Sequence, residues 1–222
     1  MAFNISDYAT LVFDCDGVLI NSNSLKSYAF YKTALIYGAK PAEEFINYHR
    51  SNGGISRYEK FAYFLNNIVP VLAPKKSGPN LNQLIDIYSK IVKSEILESE
   101  VAVGIDLLRS RTINSRWLVV SGGDQAEVKC ILTNLKLSAY FDAGIFGSPD
   151  SKDVIIKREI DNGNIKMPAV YIGDSCFDFK TASTAGLDFV FISNWTEVVG
   201  WREWVEKKKL THFSSINDML LT

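Results

Sequence analysis

Five short apolar runs constrain this chain more than any other feature: residues 9–13, 117–120, 143–146, 169–172 and 189–192. Each is strand-length, continuous in apolar character and bounded by Gly, Asp or Ser, the pattern of a strand buried on both faces. Helix-length stretches at about residues 124–135, 150–161 and 176–185 separate the later runs. Strand alternating with helix predicts a doubly wound α/β domain with a parallel sheet.

The stretch at residues 20–97 follows a different rule. Leu81, Leu84, Ile85, Tyr88, Ile91 and Val92 recur at helical spacing, as do Phe61, Phe64, Leu65 and Ile68. Leu25, Tyr28, Ala29 and Lys32 open a similar stretch, and Pro70 to Asn80 reads as a loop. These patterns predict three or four helices inserted after the first strand. The expected organisation is a sheet-containing core at residues 1–19 and 98–222 with a helical module at 20–97.

Composition narrows the function classes. A net charge of −1 gives no reason to expect nucleic acid or an anionic membrane as partner. No apolar run approaches the ~20 residues that span a bilayer, and the first residues do not read as a signal peptide. Cys15, Cys130 and Cys176 are odd in number and far apart, which argues against a disulfide framework or a structural zinc site. The expectation is a cytoplasmic protein acting on a small molecule. The oligomeric state is not legible.

In a doubly wound fold, sites form beyond the carboxyl ends of the strands. The first run ends in Asp14-Cys15-Asp16-Gly17-Val18, and the second in Ser121-Gly122-Gly123. The third is followed by Gly147 to Lys152, and the fourth by Gly173-Asp174-Ser175-Cys176-Phe177-Asp178. Singly, such residues serve as turns and helix caps. Together they bring Asp14, Asp16, Asp174 and Asp178 to one edge of the sheet. Two carboxylates ~4 Å apart repel by about 4 kcal/mol at an effective dielectric near 20. An oxygen-rich cluster that must also accept a phosphate suits Mg²⁺, and Lys152 adds a positive charge.

Asp14-Cys15-Asp16-Gly17-Val18, Ser121, Lys152 and Gly173-Asp174-Ser175-x-x-Asp178, in this order, resemble the four motifs of the haloacid dehalogenase superfamily. The helical insert resembles that family's C1 cap, and the remainder its Rossmann-like core. The resemblance implies a phosphatase acting on a small phosphorylated metabolite, a sugar phosphate or a phosphoglycolate-like acid. Asp14 would be the nucleophile, forming an aspartyl-phosphate. Asp16 would carry protons for the leaving oxygen and for water, and its backbone carbonyl would ligate the metal. Ser121 and Gly122 would bind the phosphoryl oxygens, and Lys152 would neutralise charge. Asp14, Asp16, Asp174 and Asp178 would hold Mg²⁺. Dehalogenases of this fold need no acid two residues after the nucleophile, so Asp16 points to phosphoryl transfer.

Within the insert, Gly54-Ile55-Ser56-Arg57 resembles the specificity loop of β-phosphoglucomutases, with Ser56 as a helix N-cap and Arg57 free to reach a phosphate or carboxylate. This keeps a sugar phosphomutase open as an alternative. A receiver-like phosphoacceptor is disfavoured by the insert, and an inactive binding protein by the complete motif set. His49 reads as a packing or surface residue and His212 as structural. Trp201, Trp204 and Val205 share helical spacing and read as packing, with Lys207, Lys208 and Lys209 as a solvated helix end.

Overall fold

The computed structural model describes residues 3–221. Six strands form one all-parallel sheet: β1 (Thr10–Phe13), β2 (Arg116–Asp124), β3 (Gly144–Ser148), β4 (Ala169–Gly173), β5 (Asp188–Ile192) and β6 (Thr211–Phe213), in the order β3-β2-β1-β4-β5-β6. The helices are α1 (Asn23–Ala34), α2 (Ala39–Ser51), α3 (Arg57–Tyr63), α4 (Val69–Leu72), α5 (Leu81–Glu95), α6 (Ile105–Arg111), α7 (Gln125–Asn134), α8 (Lys152–Asp161), α9 (Cys176–Ala185), α10 (Trp201–Lys208) and α11 (Ile216–Met219). Among the described residues no helix is long and apolar enough to cross a membrane.

Strand periodicity divides the core into two faces. Leu11 and Phe13 pack with Trp117, Val119, Val170 and Ile172 beneath α6 and α7. Val12 packs on the opposite face with Leu118, Val120 and Tyr171 against Ile155, Ile156 and Ala182 of α8 and α9. Both faces are therefore covered, as a parallel sheet requires. The sheet order turns outward in both directions from β1, and the crevice beyond the β1 and β4 carboxyl ends is the usual ligand position.

β6 was not legible as an apolar run, because its residues are Thr211, His212 and Phe213. It pairs with β5, and α10 covers this edge with Trp204 against Phe179 and Phe191, and Trp201 against His212. The aromatic tail is thus packing.

Helices α1 to α5 lie between β1 and α6. Their interior is aromatic: Phe30, Phe45, Phe61, Phe64 and Tyr88, with Phe30 and Tyr88 ring centroids 4.3 Å apart. α5 begins with a reciprocal Asn80–Gln83 capping box and buries Leu84, Tyr88 and Val92. Two sequence expectations need correction. The loop begins after Leu72, because Pro70 sits in the first turn of α4, where its missing N–H costs nothing. In α1 the inward face carries Ser27, Ala29, Phe30, Thr33 and Ala34, whereas Tyr28 is exposed. Apolar spacing misread α1 because part of its inward face is polar.

The two chain crossings joining the insert to the sheet are paired with each other. Asn21 N–H donates to the Glu100 carbonyl (2.8 Å), and Ala102 N–H donates to Leu19 (2.9 Å).

Candidate active site

The strand ends at the crevice bring four of the expected side chains together. Asp14 follows β1, Lys152 opens α8, Asp174 follows β4, and Asp178 lies in the first turn of α9; all are buried. Lys152 Nζ donates to Asp178 Oδ1 (2.6 Å) and lies 2.9 Å from Asp14 Oδ1. Asp178 Oδ2 accepts from the backbone N–H and the hydroxyl of Ser175, which fixes it as half of a capping box. Asn23 Nδ2 donates to Asp174 Oδ2 (2.7 Å) and to the Trp195 carbonyl (2.8 Å).

Carboxylate oxygens of Asp14, Asp174 and Asp178 all lie within 4.8 Å of one another. Their charge is incompletely compensated. Burial pushes the Asp14 carboxyl up to about 7, the Lys152 charge opposes this, and Asp178 and Asp16 add to it. Burial and the neighbouring Asp14 and Asp178 also hold Asp174 well above the ordinary carboxylate range. Burial alone would lower Lys152, but Asp14 and Asp178 outweigh it and hold the ammonium well above its usual value. Three clustered hard oxygen donors with one lysine between them fit a divalent cation.

Asp16 is arranged differently. Its side chain stands outside that carboxylate group and is held by Lys26 Nζ (2.6 Å) and the Ser22 hydroxyl. Burial raises its pKa, yet the Lys26 charge and the two hydrogen bonds outweigh burial and hold it below the ordinary value. Gly17 explains the tightness of this turn: its φ is +77°, and a Cβ there would lie 2.1 Å from Asp174 Oδ2.

Ser121 is fully buried, and its Oγ accepts from Gly123 N–H (3.0 Å). The strand continues past Ser121 to Asp124 with a register shift, so Gly122 and Gly123 belong to β2 rather than to a following turn. A Cβ on Gly122 would stand 2.4 Å from the Gly54 carbonyl, so glycine here lets the insert close onto the sheet.

A cavity of about 70 Å³ lies between the strand ends and the insert. Asp14, Asp16, Lys152, Asp174, Gly122 and Gly123 form its floor, and Asn23, Lys26, Phe30, His49, Gly54, Ile55 and Lys60 its roof. Ser121 and Asp178 lie behind this lining. Sequence reasoning missed Asn23, Lys26 and Lys60. The available signal was their spacing: Asn23 and Lys26 are three apart at the start of α1, and Lys60 is three beyond Arg57 on α3.

Arg57 departs from its expected place. Its guanidinium donates to Ser89 Oγ (2.8 Å) and pairs with Glu127 Oε2 on α7, lying 4.8 Å over the Tyr88 ring. It does reach a carboxylate, but one of its own chain. Tyr58 makes a second bridge of this kind to Asp124 (2.9 Å). His49 is buried, its Nε2 3.0 Å from Ser27 Oγ and its Nδ1 2.9 Å from Lys60 Nζ.

The haloacid dehalogenase-like hydrolase family model matches residues 11–192. A phosphorylated carbohydrates phosphatase from Thermotoga maritima is 27% identical over 189 residues, covering 82% of this chain and 83% of that protein. Among solved structures, a haloacid dehalogenase-like family hydrolase from Streptococcus pneumoniae superposes with a TM-score of 0.67 at 21% identity, covering 96% of this chain and 97% of that one. A phosphonoacetaldehyde hydrolase-like protein from Oleispira antarctica gives 0.71 at 15% identity, covering 99% and 92%.

Proposed function

Because this chain belongs to the haloacid dehalogenase-like hydrolase family, we propose that it is a Mg²⁺-dependent phosphatase of a small phosphorylated metabolite, working through an aspartyl-phosphate on Asp14. The observation that carries this reading is the buried Asp14 carboxylate, 2.9 Å from Lys152 within a cluster of three carboxylates.

An Asp14 oxygen attacks phosphorus, and Lys152 neutralises charge on the nucleophile and the transferring oxygens. Asp14, Asp174, Asp178 and the Asp16 carbonyl would hold Mg²⁺, which would offset the repulsion between an anionic aspartate and a dianionic ester. Ser121 and the Gly122 backbone bind phosphoryl oxygens. Asp16 gives a proton to the leaving oxygen and takes one from the water that hydrolyses the intermediate. For that it must turn from Lys26 toward the ester, so its partnership with Lys26 is a resting position. Residues 20–97 act as a cap over this site.

The Thermotoga maritima relative favours a phosphorylated carbohydrate as substrate, with a phosphoglycolate-like acid as the smaller option. The phosphomutase alternative rested on Gly54-Ile55-Ser56-Arg57; of these, Gly54 and Ile55 line the cavity, whereas the Arg57 guanidinium is engaged by Ser89 and Glu127, which favours the phosphatase. Phosphate release from an aryl phosphate and from a panel of phosphorylated sugars and acids, with and without Mg²⁺, tests the reading. Asp14→Asn should lower kcat by at least about a thousandfold while the protein stays folded. Acid-quenched enzyme should carry the phosphoryl group on the peptide containing Asp14. Label on another residue, or undiminished turnover in the variant, would refute the nucleophile.

A further inference from the structure

Three lysines line the cavity, and two of them have carboxylate partners. Lys152 is paired with Asp14 and Asp178, and Lys26 with Asp16. Lys60 is buried too, at 3% exposure, yet among the described residues no carboxylate lies within 4 Å of its Nζ. Its polar contact is His49 Nδ1 at 2.9 Å, and the Phe30 ring lies 5.4 Å away. A buried ammonium without a counter-ion is costly and is ordinarily paired.

The surroundings fix this amine in place. An ammonium can only donate, so His49 Nδ1 accepts and the ring proton sits on Nε2, which donates to Ser27 Oγ. Ser27 in turn donates to Glu197 Oε2 at 2.5 Å, tying the imidazole to the loop after β5. The chain Lys60–His49–Ser27–Glu197 thus aims one cation from the roof into the cavity. Burial, reinforced by Lys26 and opposed by Asp16 and Glu197, pushes the Lys60 ammonium down to about 7, and an arriving anion would raise it again.

We propose that Lys60 selects the substrate's leaving group by pairing with a second anionic group, a carboxylate or a second phosphate, carried near the ester. The inference rests on the phosphatase reading and deepens it. With the transferring phosphoryl group on the floor against Lys152, the leaving group faces the roof, where Lys60 is the cation without a carboxylate partner. Arg57, the other basic side chain at the start of α3, is occupied by Glu127. The cavity of about 70 Å³ has the volume of roughly two water molecules. A phosphorylated substrate is larger than this, so the roof must shift from the floor to admit it, and the roof groups are the ones its leaving group meets.

Matched substrate pairs test this. Phosphoglycolate is compared with hydroxyethyl phosphate, and a fructose bisphosphate with the corresponding monophosphate. Wild-type kcat/KM should favour the anionic member of at least one pair by about 10- to 100-fold, the range of a buried charge-assisted hydrogen bond. The pair with the larger ratio identifies carboxylate or phosphate. Lys60→Met should collapse that ratio toward unity by lowering the anionic member more than the neutral one, and Lys60→Arg should keep part of it. Thermal melting checks that the variants fold; if Lys60→Met does not, the wild-type ratios and Lys60→Arg decide. Equal kcat/KM within both wild-type pairs, or variants that lower both members by one factor, would overturn the proposal. Aryl phosphate turnover by the wild type keeps the two readings apart. Turnover without pair preference defeats this inference alone, and no turnover on any ester defeats the phosphatase reading.

Discussion

The floor and the roof of the cavity are both buried and both charged, yet the chain builds them by different means. The floor is backbone-determined. Asp14, Asp174, Lys152 and Asp178 follow strand ends or open helices, so the register of β1 and β4 fixes where they point. The roof is packing-determined. Lys26, His49 and Lys60 come from three different helices, and they meet only because Phe30, Phe45 and Phe61 hold those helices together. The floor has excess negative charge around one lysine, whereas the roof contributes lysines of which one lacks a carboxylate. A floor of this kind binds a cation and a phosphoryl group generically, and a roof of this kind can change its ligand without disturbing the sheet.

The largest effect should come from removing the floor's internal cation. Lys152→Met leaves Asp14, Asp174 and Asp178 facing one another with no counter-charge. Breaking a buried ion pair from one side typically costs about 3–5 kcal/mol, and kcat should fall with it. Millimolar Mg²⁺ should recover more melting temperature in this variant than in the wild type, because the ion then supplies the missing charge. Equal Mg²⁺ shifts in the two proteins would separate the metal from the carboxylate cluster.

This contrast also explains what the sequence revealed. The strand runs, α7 to α9 and every floor residue were legible because short-range order places them: an apolar run, then the chemistry. Asp16 was legible as a residue but not as a state, since its partner Lys26 arrives from α1 with no motif to announce it. Lys60 and the His49 relay were illegible for the same reason. β6 was missed because an edge strand with one covered face need not be apolar, and Thr211-His212-Phe213 is not. Arg57 was legible as a cation near the site, but its actual partner, Glu127, depends on how α3 lies against α7.

Lys26→Met tests the seam where roof meets floor, with a smaller effect. Lys26 is what holds the Asp16 carboxyl down against burial. Without it, burial dominates and the Asp16 pKa rises, so more of the free enzyme carries the proton needed by the leaving oxygen. Because Asp16 is held below the ordinary value while burial pushes Asp14 up to about 7, the acid limb of the kcat/KM profile reports Asp16 and should move to higher pH, whatever happens to its height. An acid limb that stays in place would mean that Asp16 is not the titrating donor.

The smallest effect on chemistry should come from the Arg57–Glu127 bridge, which joins roof to floor outside the cavity. Both side chains are mostly buried, and Tyr88 covers the guanidinium. Arg57→Ala leaves Glu127 without its cation, and Glu127→Ala leaves Arg57 without its anion. Each should cost about 1–3 kcal/mol in chemical or thermal unfolding. The double variant should cost clearly less than their sum, because the second change removes a group already left unpaired. Effects on kcat/KM should also run in parallel for the two single variants, since both loosen the same closure. The decisive outcome is an asymmetry. If Arg57→Ala raises KM for a phosphorylated substrate and Glu127→Ala does not, then Arg57 exchanges Glu127 for the substrate on binding. It would then belong to the roof beside Lys60 rather than to the latch that holds the roof shut.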